Sequence, residues 1–253
     1  MNNEQLTRYS RHIMLPQLDY DGQLKLTESH ALILGAGGLG SPVAMYLTSS
    51  GVGHLTIVDF DHVELSNLQR QILHGTADLY KAKVDSAKET LNALNPDVEV
   101  TAINKKLDED ELREQVKLAD IVLETTDNFQ SRFLLNRLCV QEKKPLISGS
   151  VIRFEGQLST FRNDLDDQPC YHCLYKETEE GEASHWETCA ASGVLAPAVG
   201  VMGSLQATEA LKVLMGLGTD LSGRLIMFDA MTMEWREMKL RKDPNCPVCG
   251  TNA

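Results

Sequence analysis

The stretch 31–68 constrains the fold more than any other part of the chain. An apolar run, Ala31–Leu34, is typical of a buried parallel strand. A glycine-rich turn follows directly, then a helical stretch to about Ser50, and then a second apolar run, Leu55–Val58, which ends at Asp59. A strand, a glycine turn, a helix and a strand with an acid at its tip form the nucleotide-binding half of a Rossmann-like α/β fold.

The four glycines of this turn suit a bound phosphate. Gly35 permits a sharp turn, and Gly37 and Gly38 leave backbone N–H groups open to an anion, with no Cβ in the way. Gly40 allows the helix to pack closely on the strand, and the helix N-terminus adds unpaired N–H groups and a partial positive charge. Asp59 can accept hydrogen bonds from ribose hydroxyls. The pattern predicts a nucleotide without identifying it, and a purely structural turn is the alternative.

A polar loop follows the second strand, where open α/β sheets bind ligands. Asn67, Arg70 and Gln71 in this loop are donors suited to phosphate, and Arg70 can bind it through two parallel hydrogen bonds. Lys83, at the start of a helix predicted to run to about Leu94, can place a point charge on a phosphate. The acids of the loop could share a metal or a ribose, and these are Asp59, Asp61 and Glu64. An ordinary surface loop is the alternative interpretation.

Another acid stands at a third strand end. The short apolar run Ile121–Leu123 predicts a buried strand, and Asp127 follows it closely. Because Mg²⁺ prefers hard oxygen ligands and keeps several waters, Asp127 is a predicted magnesium ligand. Asp127 could also be the N-cap of a helix predicted over Phe129–Glu142, and the two roles can coexist.

The remaining elements predict how this sheet is completed. Alternation over 151–161 predicts antiparallel strands that extend the parallel sheet, and Arg224–Asp229 and Glu234–Leu240 predict a closing antiparallel pair. Gly193–Met215 is predicted to be a long, mostly buried helix. The fold class is therefore α/β, a Rossmann-like and mainly parallel sheet flanked by helices. No linker, repeat or low-complexity tract interrupts the chain, so a single domain over 1–253 is predicted.

The cysteines predict a structural metal. Four of the six lie in two Cys-x-x-Cys pairs, and four thiolates would saturate tetrahedral Zn²⁺ with no open position for catalysis. Such a site would pin the C-terminal tail to the domain, whereas a redox pair or free thiols are the alternatives. Cys139 is predicted to be a core residue, and Cys189, beside the acidic loop Lys176–Trp186, could be either a reactive or a structural thiol. The predicted zinc ligands are Cys170, Cys173, Cys246 and Cys249.

Charge and hydropathy exclude several classes of function. The formal net charge of −12 disfavours nucleic acid and anionic membranes as partners. The polar N-terminus, Met1–Arg11, shows no apolar segment typical of a secretory signal, so none is expected, and no apolar run approaches the ~20 residues that a bilayer span requires. With cysteine spacing that favours metal over disulfides, these features predict a cytoplasmic protein.

The groups predicted at the strand ends favour a triphosphate over a dinucleotide. Arg70, Lys83 and Asp127 suit a triphosphate with Mg²⁺, and the absence of a Walker motif disfavours a P-loop kinase. Nucleotidyl transfer to a carboxylate needs no protein nucleophile, because the substrate's own carboxylate attacks the α-phosphate. Three alternatives stay open: an NAD-dependent oxidoreductase that uses the glycine turn and Asp59, a non-catalytic scaffold that binds nucleotide or a partner, and an adenylating enzyme that acts on a peptide or small substrate.

Nine segments in order along the chain carry a resemblance to a known family: RYSRHIMLP (8–16), GAGGLGSP (35–42), SNLQRQ (66–71), Lys83, TTDN (125–128), IRFEGQ (152–157), CYHC (170–173), GSLQATEALK (203–212) and CPVCG (246–250). With them the chain resembles, over essentially its whole length, the bacterial adenylating enzymes that activate ubiquitin-like proteins. It departs from the family at Glu124-Thr125, where Asp-Cys or Asp-Ala is often found, and this difference is expected to change packing more than chemistry.

The resemblance implies an activity. Such enzymes bind ATP and Mg²⁺ and adenylate the C-terminal glycine of a small sulfur-carrier protein that ends in Gly-Gly, releasing pyrophosphate. Overall likeness favours the carrier of molybdopterin synthase, with the carrier of thiamine thiazole synthesis as the alternative. Cys189 does not decide between them, because its counterpart bonds covalently to the carrier in only some members of the family.

The resemblance also implies residue roles. Asp127 would face Mg²⁺, and Arg11, in a predicted N-terminal helix over Glu4–Leu15, would reach the ATP site of the other subunit of a homodimer. The four paired cysteines would hold structural zinc, and the loop Lys176–Thr188 would receive the carrier's tail. The implied ATP contacts are Gly38, Asp59, Ser66, Asn67, Gln69, Arg70, Lys83, Asp127 and Asn128.

Overall fold

The computed structural model describes residues 1–177 and 192–251, whose strands form one continuous sheet. In chain order the strands are β1 (His30–Leu34), β2 (His54–Val58), β3 (Glu99–Ile103), β4 (Ile121–Glu124), β5 (Leu146–Ile152), β6 (Glu155–Phe161), β7 (Arg224–Asp229) and β8 (Glu234–Lys239). Across the sheet their order is β3-β2-β1-β4-β5-β6-β7-β8.

The sheet has a parallel part and an antiparallel part. Strands β1 to β5 pair in parallel, whereas β5–β6, β6–β7 and β7–β8 are antiparallel. This arrangement confirms the predicted fold class. The order of the strands reverses between β1 and β4, and ligands of open α/β sheets bind at the carboxyl ends of the strands at such a switch point.

Helices cover both faces of the parallel part. They are α1 (Asn3–Arg8), α2 (Ser10–Ile13), α3 (Asp19–Glu28), α4 (Gly40–Ser49), α5 (Lys83–Leu94), α6 (Glu109–Leu118), α7 (Phe129–Gln141), α8 (Tyr171–Leu174) and α9 (Ala196–Met215). Successive residues of a strand point to opposite faces. Ile33 therefore joins a core with residues of α4, α5 and α9, while Leu32 joins a core with residues of α6 and α7. Burial on both faces explains why the parallel strands are apolar throughout.

The N-terminal segment is two short helices, so the prediction of one helix over Glu4–Leu15 is wrong. The chain leaves helical geometry at Tyr9, which has φ −94° and ψ 9°. The Tyr9 ring is buried against Gly51, and the Asn95 side chain donates a hydrogen bond of 2.9 Å to its hydroxyl. Burial of this ring fixes the break between α1 and α2.

The long buried helix begins at Ala196 rather than at the predicted Gly193. Gly193 has φ +75°, a left-handed conformation that does not continue an α-helix. The segment before the helix pairs with the β5–β6 turn instead, because Arg153 N–H donates to Gly193 O (2.9 Å) and Leu195 N–H donates to Arg153 O (2.8 Å). In the parts of the chain that the structure describes, none of the helices combines the length and the apolar character that crossing a bilayer requires.

Candidate nucleotide site and cysteine cluster

The turn between β1 and α4 closes through direct contact of two glycines. Gly35 has φ +108°, a conformation that favours glycine. A Cβ on Gly40 would lie 2.0 Å from the carbonyl oxygen of Gly35. A side chain at position 40 would therefore push the first turn of α4 away from β1. These contacts agree with the turn and packing roles predicted for the two glycines.

Asp59 ties the tip of β2 to this turn. The Ala36 N–H donates to Asp59 Oδ2 (2.8 Å), and the Asp61 N–H donates to Asp59 Oδ1 (2.9 Å). A carboxylate oxygen accepts more than one hydrogen bond, so these contacts orient Asp59 and leave room for a ribose hydroxyl.

The loop after β2 folds back over the glycine turn. A Cβ on Gly38 would lie 3.4 Å from Cγ of Arg70, so the stem of Arg70 covers this glycine. The Arg70 guanidinium donates to Ser66 O (3.2 Å). Gln71, predicted as a phosphate donor, is instead 4% exposed and lies beneath the turn beside Gly37. Ser66 and Gln69 are exposed, and Asn67 is half-buried.

Lys83 is the first residue of α5, and its side chain is almost fully buried. Only 8% of the Lys83 side chain is exposed, and its Nζ lies 2.9 Å from Oδ2 of Asp61, whose side chain is 54% exposed. The Lys83 N–H also donates to Asp61 O (2.9 Å). Asp61, considered above for a metal or a ribose, is therefore the partner of Lys83.

A histidine that the sequence analysis did not select joins α5 to the glycine turn. His74 Nδ1 lies 2.9 Å from Ser86 Oγ, and Nε2 lies 3.0 Å from the carbonyl oxygen of Ala36. Burial lowers the pKa of His74, and the nearby charge of Lys83 lowers it further. A neutral His74 thus fixes the distance between the turn and the helix that carries Lys83.

The turn after β4 lies against the glycine turn as well. Thr125 Oγ1 is 2.8 Å from the carbonyl oxygens of both Leu34 and Gly35. The N-cap of α7 is Asn128, whose side chain accepts from the Ser131 N–H (2.8 Å), so the alternative role of Asp127 as the cap is wrong. Asp127 is exposed, and its carboxylate makes no hydrogen bond or ion pair within the described residues. Its oxygens suit a hard cation such as Mg²⁺.

The sequence analysis did not predict a buried ion pair that lies beneath this turn. Arg132 Nε lies 3.3 Å from Glu124 Oε2, with the side chains 10% and 1% exposed. The sequence marks Glu124 as a departure from the family but does not single out Arg132. The signal was an arginine amid the apolar residues of a predicted helix and an acid at the end of an apolar strand, because two buried charges need each other.

Arg11 lies away from these strand ends. It is exposed on α2, with its guanidinium 3.9 Å from the sulfur of Met14. The neighbouring Tyr9 packs against Gly51, just past the end of α4 and opposite the glycine turn. A helix rises 1.5 Å per residue, so the ten residues of α4 separate Tyr9 from that turn by roughly 15 Å.

The four paired cysteines meet in one cluster. The Sγ atoms of Cys170 and Cys246 are 3.8 Å apart, those of Cys173 and Cys249 are 3.4 Å apart, and all four lie within 4.8 Å of one another. A zinc ion with Zn–S bonds of about 2.3 Å requires sulfurs about 3.8 Å apart. The cluster therefore fits zinc.

Polar N–H groups reach two of the four sulfurs of the cluster. The Asp243 N–H lies 3.4 Å from Cys173 Sγ, and Asn136 Nδ2 lies 3.6 Å from Cys170 Sγ. Hydrogen bonding from Cys170 and from the Asp243 backbone lowers the pKa of the Cys173 thiol. Cys139 is fully buried, as predicted for a core residue. Cys189 and nearly all of the loop Lys176–Thr188 lie outside the described residues.

The parallel sheet, its reversal of strand order and the glycine turn after β1 place the chain among Rossmann-like α/β proteins. The model of the ThiF family matches residues 9–248, and the chain belongs to the ThiF family. The chain is 47% identical over 250 residues to molybdopterin-synthase adenylyltransferase of Escherichia coli K12, covering 99% of this chain and 98% of that protein. It is 44% identical over 250 residues to the sulfur carrier protein ThiS adenylyltransferase of the same organism, covering 99% and 97%.

A solved structure supports the fold. The crystal structure of Escherichia coli MccB with ATP aligns to 98% of this chain and 75% of that chain, with a TM-score of 0.84 and 26% identity.

Proposed function

We propose that this chain, acting as one unit over 1–253, transfers the adenylyl group of ATP to the C-terminal glycine of a ubiquitin-like sulfur carrier and releases pyrophosphate. The observation that carries the proposal is the meeting of two loops with the glycine turn at the switch point: Asp59 and Arg70, from the loop after β2, and Thr125, from the turn after β4, all contact it. The names of the relatives, both adenylyltransferases, support the reaction.

The glycine turn would hold the phosphates of ATP. Backbone N–H groups at Gly37 and Gly38 favour an anion, because they donate to no acceptor within the described residues and the dipole of α4 adds positive charge. Asp59 would accept from the ribose. The loop residues Ser66, Asn67 and Gln69 would complete the nucleotide contacts.

Lys83, Arg70 and Asp127 would act on the charge that develops as pyrophosphate leaves. Lys83 would exchange the exposed Asp61 for a phosphate oxygen, and Arg70 would turn its guanidinium from Ser66 O toward the same group. Asp127, with Asn128 beside it, would hold Mg²⁺, which when bound would neutralise phosphate charge. The carrier's carboxylate attacks the α-phosphate, so these residues align and stabilise and none is a nucleophile.

Arg11 would act in a homodimer. Its anchor at Tyr9 lies roughly 15 Å from the glycine turn of its own chain, by the length of α4. Arg11 would therefore serve the nucleotide site of a second copy.

The carrier of molybdopterin synthase is the proposed substrate. The carrier of thiamine synthesis is the second candidate, because the relative named for ThiS is only slightly less similar. Membership of the ThiF family and these names leave no support for an NAD-dependent oxidoreductase or a scaffold. The same proposal includes structural Zn²⁺ in the cluster of four paired cysteines and a cytoplasmic location.

Exchange of labelled pyrophosphate into ATP tests the proposal. The purified chain is assayed side by side with the carriers of both pathways, each in its full form and without its last glycine. Exchange is expected only with a full carrier, faster with that of molybdopterin synthase, and Asp127→Ala is expected to abolish it. No exchange with either full carrier would refute the proposed function, and faster exchange with the thiamine carrier would reassign the substrate.

A further inference from the structure

The turn after β4 presents Asp127 between neighbours that are themselves fixed. We propose that the buried Glu124–Arg132 pair is a positioning unit, which holds this turn in the one arrangement that presents the Asp127 carboxylate to a nucleotide-bound divalent cation. The inference rests on the proposed function for its nucleotide. It goes further by naming two residues that touch neither ATP nor metal and act through Asp127.

Arg132 keeps its charge although it is buried. Burial alone would lower the pKa of Arg132, but the Glu124 carboxylate and the flanking Tyr171 and Tyr175 raise it above its usual value. The guanidinium also lies over the Phe129 ring, with 5.7 Å between Cζ and the ring centroid. Arg132 therefore stays positively charged at neutral pH.

The two side chains hold every polar atom of Thr126, the residue before Asp127. Glu124 Oε1 accepts from the Thr126 N–H (2.8 Å) and from the Thr126 hydroxyl (2.6 Å). Arg132 Nη2 donates to the Thr126 carbonyl oxygen (2.6 Å). These three hydrogen bonds fix the peptide planes on both sides of Thr126, so the backbone enters Asp127 in one direction.

The same pair ties the turn to β5. Glu124 Oε2 accepts from Ser148 Oγ (2.9 Å), and Arg132 Nη2 lies 3.3 Å from the Gly149 carbonyl oxygen. The turn is thus held to a neighbouring strand as well as to its own. This second attachment prevents the turn from moving as a rigid unit.

The other residues of the turn are also engaged. Thr125 Oγ1 contacts the glycine turn, and the Asn128 side chain caps α7. Within 125–128, Asp127 is the residue whose side chain makes no hydrogen bond in the described part of the chain. The hydrogen bonds of this turn therefore hold the backbone around Asp127, while the Asp127 carboxylate itself stays exposed.

Stability alone does not account for charges at this place. Replacing a buried ion pair by well-packed apolar residues is often neutral or stabilising. Leucine and methionine at these positions would fill the same space, but they could not hold the N–H, hydroxyl and carbonyl groups of Thr126. The directional hydrogen bonds are what the charged pair adds.

The test measures how far Mg²⁺ strengthens ATP binding. The dissociation constant of ATP is measured by calorimetry with and without Mg²⁺, for the wild-type chain and for the double variant Glu124→Leu/Arg132→Met. The affinity gained from Mg²⁺ is expected to fall about ten-fold in the double variant, as for other residues that orient a metal ligand. The affinity for ATP without Mg²⁺ is expected to stay as in the wild type.

A matched control is Arg113→Met. Arg113 also attaches to α7 through polar contacts, to Gln141 Oε1 (2.7 Å) and Glu142 (3.5 Å), but at the opposite end of the helix from Asp127. The Arg113→Met variant should keep the full gain in ATP affinity from Mg²⁺. A folded double variant with the wild-type gain, or one that loses ATP affinity equally with and without Mg²⁺, would overturn the proposal.

Thr126→Val keeps the inference testable if the double variant does not fold. It removes only the hydroxyl that donates to Glu124. The affinity gained from Mg²⁺ should fall by a smaller factor, about two- to five-fold, because a single hydrogen bond is lost, and an unchanged gain would overturn the proposal. Pyrophosphate exchange by the wild-type chain is scored separately, so an absence of exchange refutes the adenylation, whereas an unchanged Mg²⁺ gain refutes the positioning role.

Discussion

Two ion pairs flank the carboxyl ends of the central strands, and they differ in how far the carboxylate is exposed to water. Lys83 pairs with Asp61, whose side chain is more than half exposed, whereas Arg132 pairs with Glu124, which is fully enclosed. Both cations are buried. We call the first the open pair and the second the closed pair.

The difference in exposure decides what each pair can do. If Lys83 turned to a ligand, Asp61 would be hydrated at little cost, because more than half of its side chain already faces water. Separating the closed pair would leave a charge in the interior without a partner, at a cost of about 3–5 kcal/mol. The open pair is thus suited to exchanging its partner for a phosphate, and the closed pair to holding structure.

Arg132→Met breaks the closed pair and should have the largest effect on stability. It leaves the Glu124 carboxylate buried and without its cation, so the free energy of unfolding should fall by about 3–5 kcal/mol. The melting temperature should drop by about 2–4 °C for each kcal/mol, measured by circular dichroism. The control Arg113→Met should lose no more than about 1 kcal/mol, and an equally small loss for Arg132→Met would contradict the comparison.

Lys83→Met breaks the open pair from the cation side and should act on the reaction instead. The rate of pyrophosphate exchange should fall by about 10²–10³, the usual result of removing one group that stabilises developing charge. The free energy of unfolding should change by less than about 1 kcal/mol, because Asp61 is exposed.

The matched control for this variant is Lys81→Met. Lys81 pairs with Asp78 and Glu89 on the surface, two residues before Lys83, and its loss should leave the rate unchanged. A Lys83→Met chain that keeps its rate while losing stability would show that the open pair is structural like the closed one.

The contrast between the pairs also shows what the sequence could reveal. Apolar runs and the glycine turn predicted the parallel strands and the antiparallel extension, because periodicity and turn chemistry are local signals. The break at Tyr9 was missed, since it depends on burial of that ring against Gly51, a residue distant in sequence.

For the site, the sequence suggested groups but not their partners. Lys83 and Asp127 were selected because they follow strand ends. That Lys83 is paired with Asp61, and that Asn128 rather than Asp127 caps α7, depends on which side chains the folded turns bring within hydrogen-bond distance. The sequence did not identify Arg132, because a charged residue in a helix is expected to be exposed until its buried partner is known.

Asp61→Asn breaks the open pair from the acid side and should have a smaller effect than either cation variant. It removes an anion that competes with phosphate for Lys83, so the dissociation constant of ATP should fall by a few-fold, about 1 kcal/mol at most. Calorimetry on the wild-type chain, Asp61→Asn and the surface control Glu89→Gln would measure it. Binding weakened by about ten-fold or more would mean that Asp61 itself contacts the ligand.

The smallest expected effect concerns His74, whose pKa depends on the charge of Lys83 in the open pair. Burial lowers the pKa of His74 in the folded chain below its unfolded value of about 6.5. The unfolded chain therefore binds more protons as the pH falls through that value. The stability that depends on neutral His74 is complete above about pH 6.5 and is lost progressively toward lower pH.

The charge of Lys83 is one of the causes of this lowered pKa, after burial itself. Lys83→Met should therefore raise the pKa of His74 toward its unfolded value and make stability less sensitive to acid, since the two states then bind more equal numbers of protons. Arg132→Met should leave the pKa of His74 unchanged. Titration of the imidazole resonances by NMR measures both variants. If the pKa of His74 responded to Arg132→Met as strongly as to Lys83→Met, the two pairs would be electrostatically coupled and could not be treated as separate devices.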